Sequence, residues 1–400
     1  MRVTYIVSRF PMSSETFVLR ELNAVDALPG LELELVSLFP PPEPFAHPAA
    51  EPWLARRHRP TAAEALKGLA WWLTRRPLRL IATAAQIVAG HARRPTRLVR
   101  ALVTFALACA HARMVGRRQV EHMHAHFATY PALAAWVCSR LTGVPYSFTA
   151  HAHDIFVPAD RPFLARKLRD ARFVVAISEY NRRFLEAFGG GKETPVHVIH
   201  CGIDPEAYRF RPRRPPADGP IRALCVASLQ EYKGHGVLFD ALATGTGRVA
   251  DLELDLVGGG DPRELEALAR ELGISDRVRF HGALSERDVT AMLDGAHLFV
   301  LPSLVARNGQ MDGIPVALIE ALACGVCVVA SRLSGIPELA RDGETGVLAA
   351  PGDPASLQRA LRRAIEGDCG GASPEAGRRL VERDFALASG ARQLAELFRS

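Results

Sequence analysis

Short apolar runs rich in β-branched residues recur along this chain, with helical spacing between them. In the first half they are Val3–Val7, Leu33–Ser37, Glu121–His124, Tyr146–Thr149, Phe173–Ile177 and Val196–Ile199. In the second half they are Ile221–Val226, Leu252–Val257, Val278–Phe280, Leu298–Leu301, Val326–Ala330 and Gly346–Leu348. Parallel strands need helical crossovers, so this alternation predicts an α/β protein built on doubly wound parallel sheets. The 400 residues are too many for one ordinary core and suit two domains. Residues 201–220, CGIDPEAYRFRPRRPPADGP, carry no usable periodicity and read as a linker. The expected domains are therefore 1–200 and 221–384, with a helix over 385–400 packing back on the first. Binding residues belong in loops at the carboxyl ends of the strands.

The basic charge is localised. From Arg56 to Arg118 there are 14 Arg or Lys and one acid, Glu64, in a chain whose net charge is only +6. Apolar stretches alternate there with Arg clusters, as in WWLTRRPLRLIATAAQIV, which predicts helices on an anionic membrane surface. A solvated Arg-rich face is the plainer alternative. Nucleic acid is not expected as a partner, because no recognised motif accompanies the segment.

The chain opens on a strand-like run without a long apolar leader, and its longest apolar run, near Leu102–Ala110, is short of a bilayer span. A cytoplasmic protein, peripheral on the inner face of the cell membrane, is the expectation. The seven scattered cysteines read as reduced, packed thiols, and Cys324-Gly-Val-Cys327 has no second pair to complete a metal site.

The sharpest stretch is Met311-Asp-Gly-Ile-Pro-Val-Ala-Leu-Ile-Glu-Ala-Leu-Ala-Cys-Gly325. Pro315 suits the first turn of a helix. Gly313 permits close backbone approach, and the unpaired amides around Ile314, Pro315 and Val316 form an anion site suited to a diphosphate. Asp312 precedes the helix and Glu320 lies two turns in, so the two acids can meet different parts of one elongated ligand.

DGIPVALIEA, followed by ACGVCVVAS and SGIPELARDGETG, resembles retaining glycosyltransferases of the GT-B fold. More closely, it looks like the group 1 (family 4) enzymes of colanic acid and amylovoran assembly. The resemblance implies two Rossmann-like domains facing across a cleft. It also implies transfer of a hexosyl group from a nucleoside diphosphate sugar to a saccharide or lipid-linked acceptor, with retention, in bacterial exopolysaccharide or cell-envelope biosynthesis. By that match Asp312 contacts the donor sugar, where Glu is usual, and Glu320 contacts the ribose. In Ala227-Ser-Leu-Gln-Glu-Tyr-Lys-Gly-His235, Lys233 takes the place of the family's phosphate-binding Lys, while Ser228 stands where Arg is usual. Gly335 is expected near the phosphates. No obligatory metal or other cofactor is expected. A silent nucleotide-sugar-binding protein, or a GT-B epimerase or phosphorylase, is the alternative.

In the first half, HMHAHF and TAHAHD follow strands. Alternating His lie on one face of a strand, which suggests metal, but no closed ligand set is evident. By the resemblance, His151 approaches the donor sugar, with His126 and Asp154 on the acceptor side. In Ser8-Arg-Phe-Pro-Met-Ser-Ser-Glu-Thr-Phe17, Glu15 and Thr16 either contact acceptor or cap the following helix.

Overall fold

The computed structural model describes residues 1–12, 15–41, 48–190 and 194–400, so Ser13 and Ser14 of the first loop lie outside the described residues. The chain forms two compact units, Met1–His200 with Leu387–Ser400, and Cys201–Ala386.

The first unit holds a seven-stranded sheet: β1 (Arg2–Arg9), β2 (Glu32–Phe39), β3 (Arg57–His58), β4 (His122–His126), β5 (Tyr146–Ala150), β6 (Phe173–Ala176) and β7 (Val196–Val198). Its order is β3-β2-β1-β4-β5-β6-β7, all parallel. The second unit holds β8 (Ile221–Val226), β9 (Leu252–Val257), β10 (Val278–Phe280), β11 (Leu298–Leu301), β12 (Cys327–Ser331) and β13 (Val347–Ala349). Their order is β10-β9-β8-β11-β12-β13, again all parallel. Chain order reverses between β1 and β4 in one sheet and between β8 and β11 in the other. Each reversal opens a crevice at the carboxyl ends of the strands, where ligands of open α/β sheets bind.

Four helices of the first unit matter below: α1 (Thr16–Asp26), α2 (Ala62–Arg75), α3 (Pro77–His91) and α4 (Pro95–Arg117). Helix α4 is one unbroken element of 23 residues, longer than the apolar run read from the sequence. By length and composition alone it could cross a membrane, yet more than half of its apolar window is buried. Gly68 explains how α2 lies against it. A Cβ at that position would stand 2.6 Å from the Ala110 nitrogen, so only glycine lets the two backbones meet. The Trp72 indole donates to the Cys109 carbonyl across the same contact, at 3.0 Å.

Helix α5 (Leu387–Arg399) belongs to the first unit. It buries Ala391, Leu394, Ala395 and Phe398, the i, i+3, i+4, i+7 stripe of an amphipathic helix. The Phe398 ring meets Tyr5, His122, His124 and Phe173 edge-on or tilted. Burying Leu394 and Phe398 contributes about 1.5–3 kcal/mol each.

Residues 201–220 do more than connect. Ile203 donates to the Phe385 carbonyl, and Arg211 and Arg213 donate to the carbonyls of Cys324 and Gly325. Tyr208 is buried, so the segment is part of the second unit's wall.

Candidate functional site

In the second unit the loops after β8 and β11 are joined. The Leu304 amide donates to the Tyr232 carbonyl at 2.8 Å. Gly234 has φ +74, and a Cβ there would lie 2.0 Å from the Pro302 carbonyl oxygen, so the approach requires glycine. This contact delivers Lys233 to Asp312. The ammonium donates to Asp312 Oδ1 at 2.6 Å, and the buried Ser303 hydroxyl donates to Oδ2 at 2.5 Å. Burial lowers the Lys233 pKa, but the Asp312 carboxylate beside it more than offsets that, so the lysine stays charged.

Beyond Asp312 the chain runs through Gly313 and Ile314, both buried, to helix α6, Val316–Cys324 in sequence between α4 and α5. Pro315 is the N-cap and not the first helical residue, and no side chain caps this end. Leu318 bonds back to the Pro315 carbonyl, while the Val316 and Ala317 amides precede any helical acceptor. Glu320 accepts from the Tyr208 hydroxyl at 2.9 Å, which fixes its carboxylate at the helix surface.

Ser228 is half-buried, and its carbonyl accepts from His235 Nε2 at 3.1 Å. The Gly-rich turn closes on this loop: a Cβ on Gly258 would stand 1.9 Å from the Ala227 oxygen. Gly335 caps a four-residue helix after β12, beside Ser334, whose buried hydroxyl oxygen has no hydrogen-bond partner. His281, at the end of β10, bonds to Asp255 at 2.7 Å. Cys324 and Cys327 are both buried free thiols, and burial pushes Cys324 up to about 12.

In the first unit, His122, His124 and His126 share one face of β4 and reach the matching face of β5. His122 Nε2 and His124 Nδ1 both meet the Ser147 hydroxyl, at 2.7 and 2.8 Å, and His124 Nε2 meets the Thr149 hydroxyl at 3.0 Å. Burial holds both imidazoles neutral, His122 near pKa 3. His126 instead joins His151, Nδ1 to Nε2 at 3.2 Å, and its Nε2 meets Glu21 Oε1 at 3.0 Å. The His151 ring lies against Phe17 and Phe127. Burial and the neighbouring His126 and His153 keep it neutral.

Ligand atoms of Glu21, His124 and His126 come within 4.8 Å of one another. Each of those histidines already has both ring nitrogens hydrogen-bonded, so the set is satisfied as a polar network.

Asp154 requires a different role from the acceptor contact expected of it. It is fully buried, and its carboxylate accepts from the backbone amides of Ala128 and His151, at 2.7 and 3.1 Å. It braces the loops after β4 and β5. Asn181 assists by donating to the His151 carbonyl. Glu15 occupies the N-cap of α1 without a side-chain cap bond, so capping is not its role. Burial raises its carboxyl to about 7, against the opposing pull of His126 and Arg9. Thr16 is the first residue of α1. Glu21, Tyr5, Ser303, Tyr208 and Asn181 are contributors that no motif indicated. For Glu21 a signal existed: it stands four residues after Phe17, an acid on the apolar face of α1.

The sequence model for "Glycosyl transferases group 1" matches residues 208–383, and that for "Glycosyltransferase Family 4" matches residues 15–207. The chain is 29% identical to the amylovoran biosynthesis glycosyltransferase AmsK of Erwinia amylovora, over 99% of each chain. It is 28% identical to the putative colanic acid biosynthesis glycosyltransferase WcaL of Escherichia coli K12, over 100% of each. Among solved structures, Anabaena HepE in complex with UDP and glucose superposes with TM-score 0.70 at 19% identity, covering 100% of this chain and 99% of that one. Sucrose-phosphate synthase from Thermosynechococcus elongatus gives 0.72 at 20% identity, covering 100% and 98%. Those two likenesses establish the GT-B fold.

Proposed function

The chain belongs to the group 1, family 4 glycosyltransferases, and from that premise we propose that it moves a hexosyl group from a nucleoside diphosphate sugar to a saccharide or lipid-linked acceptor, with retention, in exopolysaccharide assembly. The observation that carries the donor assignment is the convergence at the β8/β11 reversal. Lys233, Asp312 and the uncapped start of α6 meet there, at the edge where such sheets bind ligands.

The donor diphosphate sits on the α6 amides and Lys233, whose ammonium has three donors and commits one to Asp312. Asp312 accepts from sugar hydroxyls and Glu320 from the ribose. Gly313, Ile314, Pro315, Val316 and Gly335 supply backbone around the phosphates, and Ser228 adds a hydroxyl without the usual guanidinium. In the first unit His151 is the catalytic group of this reading, with Glu15, Thr16 and His126 on the acceptor side. As the bond from the anomeric carbon to the phosphate oxygen breaks, charge gathers on the diphosphate and Lys233 stabilises it. The acceptor oxygen bonds to the anomeric carbon on the face the phosphate leaves, and a phosphate oxygen takes the hydroxyl proton. The reaction needs no metal, so EDTA leaves the rate unchanged.

The surface of α2–α4 supports attachment to an anionic membrane on the cytoplasmic side. Leu66, Leu78, Ile81 and Val99 are 57–82% exposed there, and Arg75, Arg76, Arg79 and Arg93 lie exposed on the same helices and turns.

The test is a panel of UDP- and GDP-sugars, with binding read by calorimetry and product configuration by NMR. Tight binding of one donor and a product of unchanged anomeric configuration are expected. An inverted product would overturn retention, and no binding to any donor would overturn the reading of the site.

A further inference from the structure

A polar cavity of about 320 Å³ opens at the amino edge of the first sheet, where β5 begins. Arg79 lines it from the first turn of α3, and Trp136, Ser139 and Arg140 line it from the helix Tyr130–Thr142. Tyr146 at the start of β5 and Asp170 at the end of the helix Leu164–Asp170 complete the wall. His126 and His151 stand at the opposite, carboxyl edge, so the transfer reaction makes no use of this cavity.

Its polar groups are unequally satisfied. The Tyr146 hydroxyl donates to the Lys167 carbonyl at 2.6 Å, and the Trp136 indole donates to Asp170 Oδ2 at 2.8 Å. Asp170 Oδ1 faces Arg169 Nε at 3.5 Å, so the one acid of the cavity is balanced by a cation outside it. Arg79 and Arg140 are exposed, and their guanidiniums have no hydrogen-bond or ion-pair partner among the described residues. Arg76, one turn before Arg79, donates to the Leu141 carbonyl at 3.3 Å and adds a third positive charge next to Arg140. The first turn of α3 holds no acid, so Arg79 sits uncompensated at the positive end of a helix dipole. Two guanidiniums across one cavity repel each other, and a bridging phosphate would accept from both.

The surroundings narrow the class of anion. A volume of about 320 Å³ holds roughly ten waters, more than a bare phosphate fills. Leu78 and Ile81, 82% and 57% exposed, lie one turn apart on α3 beside Arg79. A phosphate in the cavity therefore has an unpartnered apolar ridge next to it, which suits an amphiphile and offers nothing to a free ion.

We propose that this cavity is a headgroup site for an anionic glycerophospholipid, with Arg79 and Arg140 on the phosphate, Ser139 on the headgroup and the acyl chains over Leu78 and Ile81. The proposal rests on the reading of α2–α4 as a membrane-facing surface and names the lipid chemistry that surface meets. Attachment then has one fixed point at the start of α3, in addition to the attraction of scattered arginines.

The test uses the full-length chain in two arms. Phosphatidylcholine vesicles carrying phosphatidylglycerol read the membrane face. Dihexanoylphosphatidylglycerol, kept below its micelle concentration and followed by calorimetry, reads the cavity. The natural chain should bind the short-chain lipid saturably, and the double variant Arg79→Gln, Arg140→Gln should lose that binding. A control, Arg93→Gln with Arg100→Gln, removes equal charge from exposed positions in the turn after α3 and in α4. Vesicle affinity should fall about tenfold further in the cavity variant than in the control. Neither cavity guanidinium has an internal partner, so the unfolding midpoint of that variant should match the natural chain's. Equal losses in the two variants, or no saturable binding of the short-chain lipid, overturn the headgroup site while leaving the membrane reading in place. Inorganic phosphate binding as tightly as the short-chain lipid overturns the lipid assignment. Saturable binding of the short-chain lipid without vesicle binding upholds the headgroup site and sinks the membrane reading alone.

Discussion

Lys233 donates to Asp312 at 2.6 Å across 79 residues of sequence, with side chains only 13% and 10% exposed. The pair ties the loop after β8 to the loop after β11, so it is structural before any donor arrives. Lys233→Met strands a buried carboxylate, and Asp312→Asn strands a buried ammonium. Each should cost about 3–5 kcal/mol in urea denaturation. The double variant should cost less than the sum, because the stranded charge is gone. Asp312→Asn should also lower kcat about 100-fold. Additive stabilities would mean the two groups do not interact.

Tyr208 holds Glu320 from a segment that looked like a connector. Tyr208→Phe removes one hydrogen bond to a charged group, worth about 1.5–3 kcal/mol at most. Donor KM should rise about five- to tenfold, with kcat falling much less. A change confined to kcat, in steady-state kinetics at varied donor, would contradict a ribose role for Glu320.

Glu15 makes the fold pH-dependent. Its carboxyl titrates at about 7 in the folded chain against an ordinary 4.5. A raised value means the protonated form is favoured, so its contribution is complete below about pH 4.5 and is lost as pH rises through 7. Glu15→Gln stays neutral and escapes that loss. It should match the natural chain near pH 4.5 and exceed it by about 1–3 kcal/mol at pH 8. Parallel stability profiles for the two proteins would rule the shift out.

Leu78 is 82% exposed and Ile81 57%. Replacing both with Ser removes apolar contact worth about 2 kcal/mol per side chain. Flotation with phosphatidylglycerol vesicles should fall sharply, and high salt should weaken binding of the natural chain. Equal binding to neutral vesicles would argue against a role for the arginines.

Twelve of the strands were legible because parallel strands buried on both faces are short, apolar and β-branched. The thirteenth, Arg57–His58, was not, since two polar residues on an edge carry no pattern. Binding loops were legible as positions, because they follow strands. Their partnerships were not: nothing local to Asp312 indicates Lys233 or Ser303, and nothing in TAHAHD says that Asp154 spends its charge on backbone amides. Alternating histidines looked alike in sequence, yet β5 gives Ser147 and Thr149 to two of them, and the loop after β5 gives His151 to the third. Long-range pairing separates them, and sequence spacing does not record it.

The ends of the second unit, Ile203 and Ala386, are bridged to each other, and only then does the chain complete the first unit with α5. On the ribosome, the patch of Tyr5, His122, His124 and Phe173 that receives Phe398 is therefore made early and covered late. At about 5–20 residues per second, roughly 200 residues of delay is about 10–40 s. Through that interval the first unit is an open half-nest, exposed to chaperones and to neighbouring nascent chains. The second unit can close as soon as its own two ends have emerged.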